Sequence, residues 1–176
     1  MSTVLADAYL RSIVHTYRMY KEMAERAIEQ VRSDEDLNRE LDESSNSIAI
    51  IVKHMSGNLR SRFRDFLTSD GEKPDRNRDS EFESEGRVSR QQLLQSWNAS
   101  WAIAMGSIEA LTADDLARTV RIRGEELRVV EALNRSVTHV AYHVGQIVYL
   151  ARHFASPNWK TLSIPKAPPG TGVPKR

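Results

Sequence analysis

Cysteine is absent from all 176 residues. That excludes disulfides, thiolate zinc fingers, iron–sulfur ligation and a thiol nucleophile, and it fits a reducing cytoplasm. Neither sign of charge is in excess: 25 Lys and Arg stand against 24 Asp and Glu, a formal net charge of +1. A polyanion partner is therefore not expected, and nucleic-acid binding least of all. No apolar run approaches the roughly 18 residues needed to span a bilayer, and MSTVLADAYLRS lacks the basic flank and apolar centre of an export signal. These gaps predict an unexported cytoplasmic protein with no membrane role. Two motifs are missing as well. Without HExxH a metalloprotease has no general base, and without Glu-x-x-His a ferritin-like di-iron bundle lacks its ligands. Proline is nearly missing from the first 156 residues, where Pro74 stands alone, so long helices are permitted there.

What is present is helical periodicity. From Val4 to Val31 the positions Ala6, Leu10, Ile13, Tyr17, Tyr20, Ala24, Ala27 and Val31 alternate spacings of four and three, as an amphipathic helix requires. Ser33 and Asp36 suggest a short turn after it. A second helix, over about 47–67, carries Ile48, Ile51, Val52, Met55, Leu59, Phe63 and Phe66 on one stripe. Ser89 with Gln92 makes a capping box that opens a third, with Leu93, Trp97, Trp101, Ala104 and Ile108 in register. In residues 117–130 Val120 and Ile122 alternate with arginines before Gly124, which reads as a small β-hairpin. The last helix spans about 130–154. Residues 157–176 hold five of the six prolines and predict an extended tail, anchored by Trp159 and Leu162. The chain thus divides into a helical domain over 1–156 and a tail over 157–176. Residues 68–88 are dense in charge, and the composition predicts no regular element there; such a loop is either partly ordered at one end of the bundle or solvated linker.

The chemistry concentrates in SVTHVAYHVGQIVYLARH, residues 136–153. His139 and His143 stand four apart, so a helix brings both imidazoles to one face about 6 Å apart along the axis, where they can grip one ion. The alternative is two polar residues on a half-exposed face. Both sit on a shoulder of the stripe formed by Val137, Val140, Val144, Ile147 and Ala151, with Arg135 and Gln146 beside them. His54 occupies the corresponding shoulder of the second helix, with Ser47, Asn58 and Ser61. If the two stripes pack together, these shoulders meet at the rim of the core, where solvent can reach. His15 lies about 200° from the first-helix seam, and His153 is about 15 Å beyond His143, so neither is a ligand candidate. Asn58 and Gln146 share the histidine faces and are the candidate contacts for a substrate or a metal-bound water, the alternative being ordinary hydrogen bonding at the surface or behind the histidines. Arg135 is placed either to attract an anionic substrate group or simply to be solvated.

Four helices, a hairpin before the last, a histidine in the second and HxxxH in the last make the chain resemble the DinB-like superfamily, which includes YfiT-type and bacillithiol-transferase-like proteins. The resemblance is most specific in NSIAIIVKHMSGNLRSRFRDFLTSDGEKP and from His139 to Arg152, and it points to an uncharacterised branch. It implies an all-α, up-down-down-up four-helix bundle, often a homodimer. It also implies a divalent metal, nickel or zinc, held by His54, His139 and His143. Relatives often carry an aromatic residue after the proline of GEKP, where this chain has Asp75. Three neutral nitrogen ligands leave open positions, and a divalent ion lowers the pKa of water or of a thiol towards neutrality. The expected function is a metal-dependent transferase or hydrolase acting through a small thiol or water. The competing expectation is a non-enzymatic bundle with a vestigial or metal-sensing site. The apolar patterns of the first and third helices exceed what one core needs, which also predicts a dimer.

Overall fold

The computed structural model describes residues 3–84 and 86–165. Five α-helices and one hairpin follow in order: α1 Thr3–Gln30, α2 Asp34–Asn38, α3 Ile48–Phe63, α4 Arg90–Glu109, β1 Thr119–Ile122, β2 Glu125–Arg128 and α5 Val129–Ala155. Single 3₁₀ turns occupy Asp79–Phe82 and Asp114–Ala117. No helix among the described residues is long and apolar enough to cross a membrane.

The four long helices form the expected bundle, and side-chain bonds at its ends give their directions. Tyr9 near the start of α1 donates to the Val130 carbonyl at the start of α5, and Gln30 at the end of α1 bonds Lys160 just beyond the end of α5. Helices α1 and α5 therefore run parallel. Arg90, opening α4, donates to the carbonyls of Ile28 and Val31 where α1 ends, so α4 runs the opposite way. Ser107, late in α4, donates to the Phe63 carbonyl that closes α3, which makes α3 parallel to α4. The order is up-down-down-up.

The predicted stripes become the core. Tyr17, Met55, Phe63, Trp97, Trp101 and Ile147 are among its largest fully buried side chains. Tyr17 packs edge-on against Phe63 and Trp101, with centroids 6.0 and 5.9 Å away, an orientation the ring quadrupoles favour. The capping box at Ser89 forms as its sequence requires, and Ser47 caps α3 by accepting from the Ile50 amide. Trp159 and Leu162 pack against the core, so the tail is anchored as far as it is described. Its residues beyond 165 lie outside the described part.

Two expectations need correction. Helix α3 stops at Phe63, four residues before the expected end, because Asp65 takes a left-handed φ of 52° that no helix can continue through. Phe66 is still buried and packs on Phe63 from beyond the helix. The second concerns residues 68–88, where the partly ordered loop of the two alternatives holds and the correction is to the expected lack of any regular element. This segment lies along α3, makes the 3₁₀ turn at Asp79–Phe82, and buries Lys73 and Glu81. Its charges find partners on α3 and on each other: Lys53 donates to the Ser80 carbonyl, Ser61 to the Gly71 carbonyl, and Arg62 to Gly71 and Glu72. Composition predicts solvation where charges are unpaired, and here they are paired.

The hairpin aligns Val120 with Leu127 and Ile122 with Glu125, turning Val120 and Ile122 inwards. Its turn residues Arg123 and Gly124 both have positive φ, 58° and 77°, as a two-residue turn matched to strand twist demands. The Asp70 carboxylate accepts from both of their amides at 2.8 and 2.7 Å, tying the turn to the charged segment.

Candidate metal centre

Helix α3 contributes His54, and α5 contributes His139 and His143 one turn apart. Stripe packing between α3 and α5 brings the three together. One ring nitrogen from each lies within 4.8 Å of the others, and the Nε2 atoms of His54 and His139 are 3.2 Å apart. Two nitrogens bound at about 2.0–2.1 Å to one ion at tetrahedral or octahedral angles would be separated by roughly 2.8–3.4 Å. The spacing fits a shared ion.

In two of the three rings the outer nitrogen is also occupied in the way a ligand set needs. His54 donates Nδ1–H to Glu81 at 2.9 Å, and His143 Nδ1 faces the Gln146 amide oxygen at 2.8 Å. Each bond places a proton on Nδ1 and a lone pair on Nε2, aimed at the common point. Glu81 is itself held by a two-pronged ion pair: Arg76 Nε and Nη2 donate to its two oxygens, each at 2.8 Å. Burial alone would raise the Glu81 carboxyl, but the hydrogen bonds from Arg76 and His54 outweigh it and hold the group below the usual carboxylate range.

The rings of His139 and His143 are kept neutral. Burial, then the neighbouring His143 and His54, then Arg62 and Arg76, push His139 down to about 3. Burial lowers His143 too, with Gln146 opposing it. Unprotonated imidazole is the form that ligates, so the pocket presets its ligands chemically as well as sterically.

His54 lines the open cavity beside the other two histidines but presents little of itself to it. It is only 4% exposed, because the charged segment and the Phe82 ring, 4.6 Å from its own, cover that shoulder. Asn58 is buried on the same face and lines a cavity of about 320 Å³ that opens beside the histidines. Gln146 commits its carbonyl to His143, leaving its amide N–H groups free of that bond. His15 and His153 are exposed, away from the cluster. Asp75 pairs with Arg64 on the surface.

Sequence reasoning did not single out Glu81, Arg76 or Phe82, which sit in a stretch without periodicity. One signal was available. Gly57 interrupts α3, where glycine costs about 1 kcal/mol relative to alanine, and a Cβ there would come 2.1 Å from Glu81 Oε1. A helical glycine of this kind marks a close approach, and here the Glu81 carboxylate is what approaches.

A crystal structure of a DinB-like protein from Bacillus cereus ATCC 10987 is similar, with TM-score 0.56 and 14% identity over 84% of this chain and 91% of that one. At that identity the likeness establishes the DinB-like fold and nothing of the chemistry. No curated protein matches. The family described as "Protein of unknown function (DUF1572)" matches residues 4–168, and the chain belongs to it.

Proposed function

We propose that the protein is a metal-dependent enzyme of the DinB-like type, with His54, His139 and His143 holding a divalent nickel or zinc ion. The observation that carries this reading is the convergence of three imidazole nitrogens within 4.8 Å, beside a cavity large enough for a small substrate. The ion would supply Lewis acidity, turning a small thiol or water into a nucleophile for transfer or hydrolysis. The chain's own residues do the rest. Glu81 and Gln146 orient the rings, Asn58 presents a side-chain amide to the cavity, and the free amide of Gln146 is a further contact for substrate. Phe82 and the segment around it keep water from the His54 side.

We further propose a cytoplasmic homodimer. Tyr142 and Tyr149, seven residues apart on one face of α5, are 63% and 73% exposed, and tyrosines so placed suit an interface. Light scattering should give the mass of two chains at micromolar concentration; a single-chain mass would overturn the dimer.

The test of the enzyme is elemental analysis of the purified protein, followed by Ni²⁺ and Zn²⁺ titration by calorimetry. One ion per chain is expected, lost in His139→Ala. The metal-restored protein is then assayed with small thiols plus an electrophile, and with esters and amides. No metal uptake by the native chain would overturn the centre, and uptake without turnover of any of these would overturn the enzyme.

A further inference from the structure

The walls of the cavity beside the histidines carry an unusual charge. Arg62 from α3, Arg76 and Arg78 from the charged segment, Arg123 from the hairpin turn and Arg135 from α5 all line it, and no Asp or Glu is among the described lining residues. We propose that this cavity is an oxyanion receptor, so that the substrate brought to the histidines carries a carboxylate or phosphate group bound by Arg78, Arg123 and Arg135. The proposal rests on the reading of that site as a metal-dependent active centre.

The five guanidinium groups divide by burial. Arg62 and Arg76 have side chains only 12% and 5% exposed and are committed to Glu72 and Glu81. Arg78, Arg123 and Arg135 are about half-exposed. Arg123 must share Glu72 with Arg62 and Arg76. The Glu72 carboxylate is thus divided among three guanidinium groups. The partners of the other two, Asp79 at 3.4 Å and Glu125 at 2.9 Å, are 90% and 62% exposed, and exposed pairs of this kind exchange readily. An incoming oxyanion can therefore take these cations at little cost.

Two further observations point the same way. Arg123 occupies a left-handed position, φ 58°, at which Asn, Asp or Gly is favoured, and Asp70 secures the turn through backbone amides, leaving the guanidinium to Glu72 and the cavity. Arg78 lies over the Phe82 ring at 5.0 Å, and that ring lies on His54, so an anion at Arg78 is held next to the ligand cluster. Phe63, Phe66 and Ile122 add an apolar patch to the same cavity, which suits an anion carrying an apolar body.

The test is calorimetric titration of metal-free and Zn²⁺-loaded protein at low ionic strength with benzoate, phenylphosphonate and the neutral isostere benzamide. At least one anion should bind the metal-free protein about tenfold or more tightly than benzamide, and the better of the two tells carboxylate from phosphate. Added salt should weaken it. The double variant R123A/R135A should lose about tenfold in anion affinity, R123K/R135K should recover part of it, and R78A supplies an independent arm. All three variants are judged in proteins whose helical circular dichroism and Zn²⁺ uptake match the native chain. Anions that bind no tighter than benzamide would overturn the receptor, as would anion binding that needs the metal and ignores the arginine variants. Metal uptake without anion preference sinks the receptor and leaves the metal centre standing. Arginine-dependent anion binding by a chain that takes no metal does the reverse.

Discussion

Helices α3 and α5 each bring histidine to the same point, but they secure it differently. On α5 the i, i+4 spacing presets His139 and His143 relative to each other, and the rings remain half-buried with one amide oxygen, from Gln146, as support. On α3 the single His54 has no such neighbour. It is buried and fixed through Glu81 to Arg76, two groups carried by a segment more than twenty residues along the chain. A pair on a helix needs only its backbone for alignment, whereas a lone ligand needs a built support, and a buried support made of charges is costly to break.

That contrast can be tested most forcefully at Glu81. Glu81→Ala should destabilise the metal-free protein by about 3–5 kcal/mol, because it strands the buried Arg76 guanidinium. Urea unfolding measures it, and a loss under about 1 kcal/mol would mean that the support carries no load. Next in size is the metal effect. Zn²⁺ or Ni²⁺ at a hundredfold excess over its dissociation constant should stabilise the native protein by about 2.7 kcal/mol. His54→Ala, His139→Ala and His143→Ala should each abolish that gain. In the metal-free protein, however, the α5 substitutions should cost less than about 1 kcal/mol and His54→Ala clearly more, since only His54 is buried against a charged partner. Equal costs at the three positions would erase the distinction between the helices.

Acid should separate them in a smaller way. His139 has a folded pKa of about 3, far below its ordinary 6.5, so between those values the unfolded chain binds more protons than the folded one. The stability tied to this ring is present above pH 6.5 and is lost as pH falls towards 3. Between pH 7 and 4.5 the metal-free native protein should lose more stability than His139→Gln, as read from urea midpoints at the two pH values. Parallel losses would show that the ring is not held neutral by its surroundings. The smallest effect is expected at the exposed histidines. His15→Ala and His153→Ala should change stability by less than about 0.5 kcal/mol and leave metal uptake unaltered, and a change in the bound-metal stoichiometry would require a different ligand set.

Much of the bundle was legible before folding was considered. The stripes containing Ile51, Met55 and Phe63, or Val140, Val144 and Ile147, are periodic, and periodicity survives into structure because the core must bury it. Local chemistry was equally readable at Ser89, whose capping box needs only residues three apart. Helix α3 ended early because nothing in the residue type of Asp65 announces a left-handed backbone; asparagine or glycine would have. His139 and His143 declared themselves by spacing. His54 could be matched to them only on the condition that the two stripes pack together, or through family resemblance, since eighty-five residues separate it from His139 and no local rule spans that distance.

By itself the amino-acid sequence determined which faces of four helices are apolar, where the hairpin lies, and that two histidines share one face of α5. Those are properties of residues a few positions apart, governed by helix and strand periods. Only the tertiary structure decided that Glu81 and Arg76 stand behind His54, that Gly57 makes room for them, and that five arginines converge without a carboxylate among them on the cavity wall. Charged residues read alike in a sequence whether they end in water or in a buried pair. Which of the two occurs depends on partners that folding alone brings within hydrogen-bonding distance.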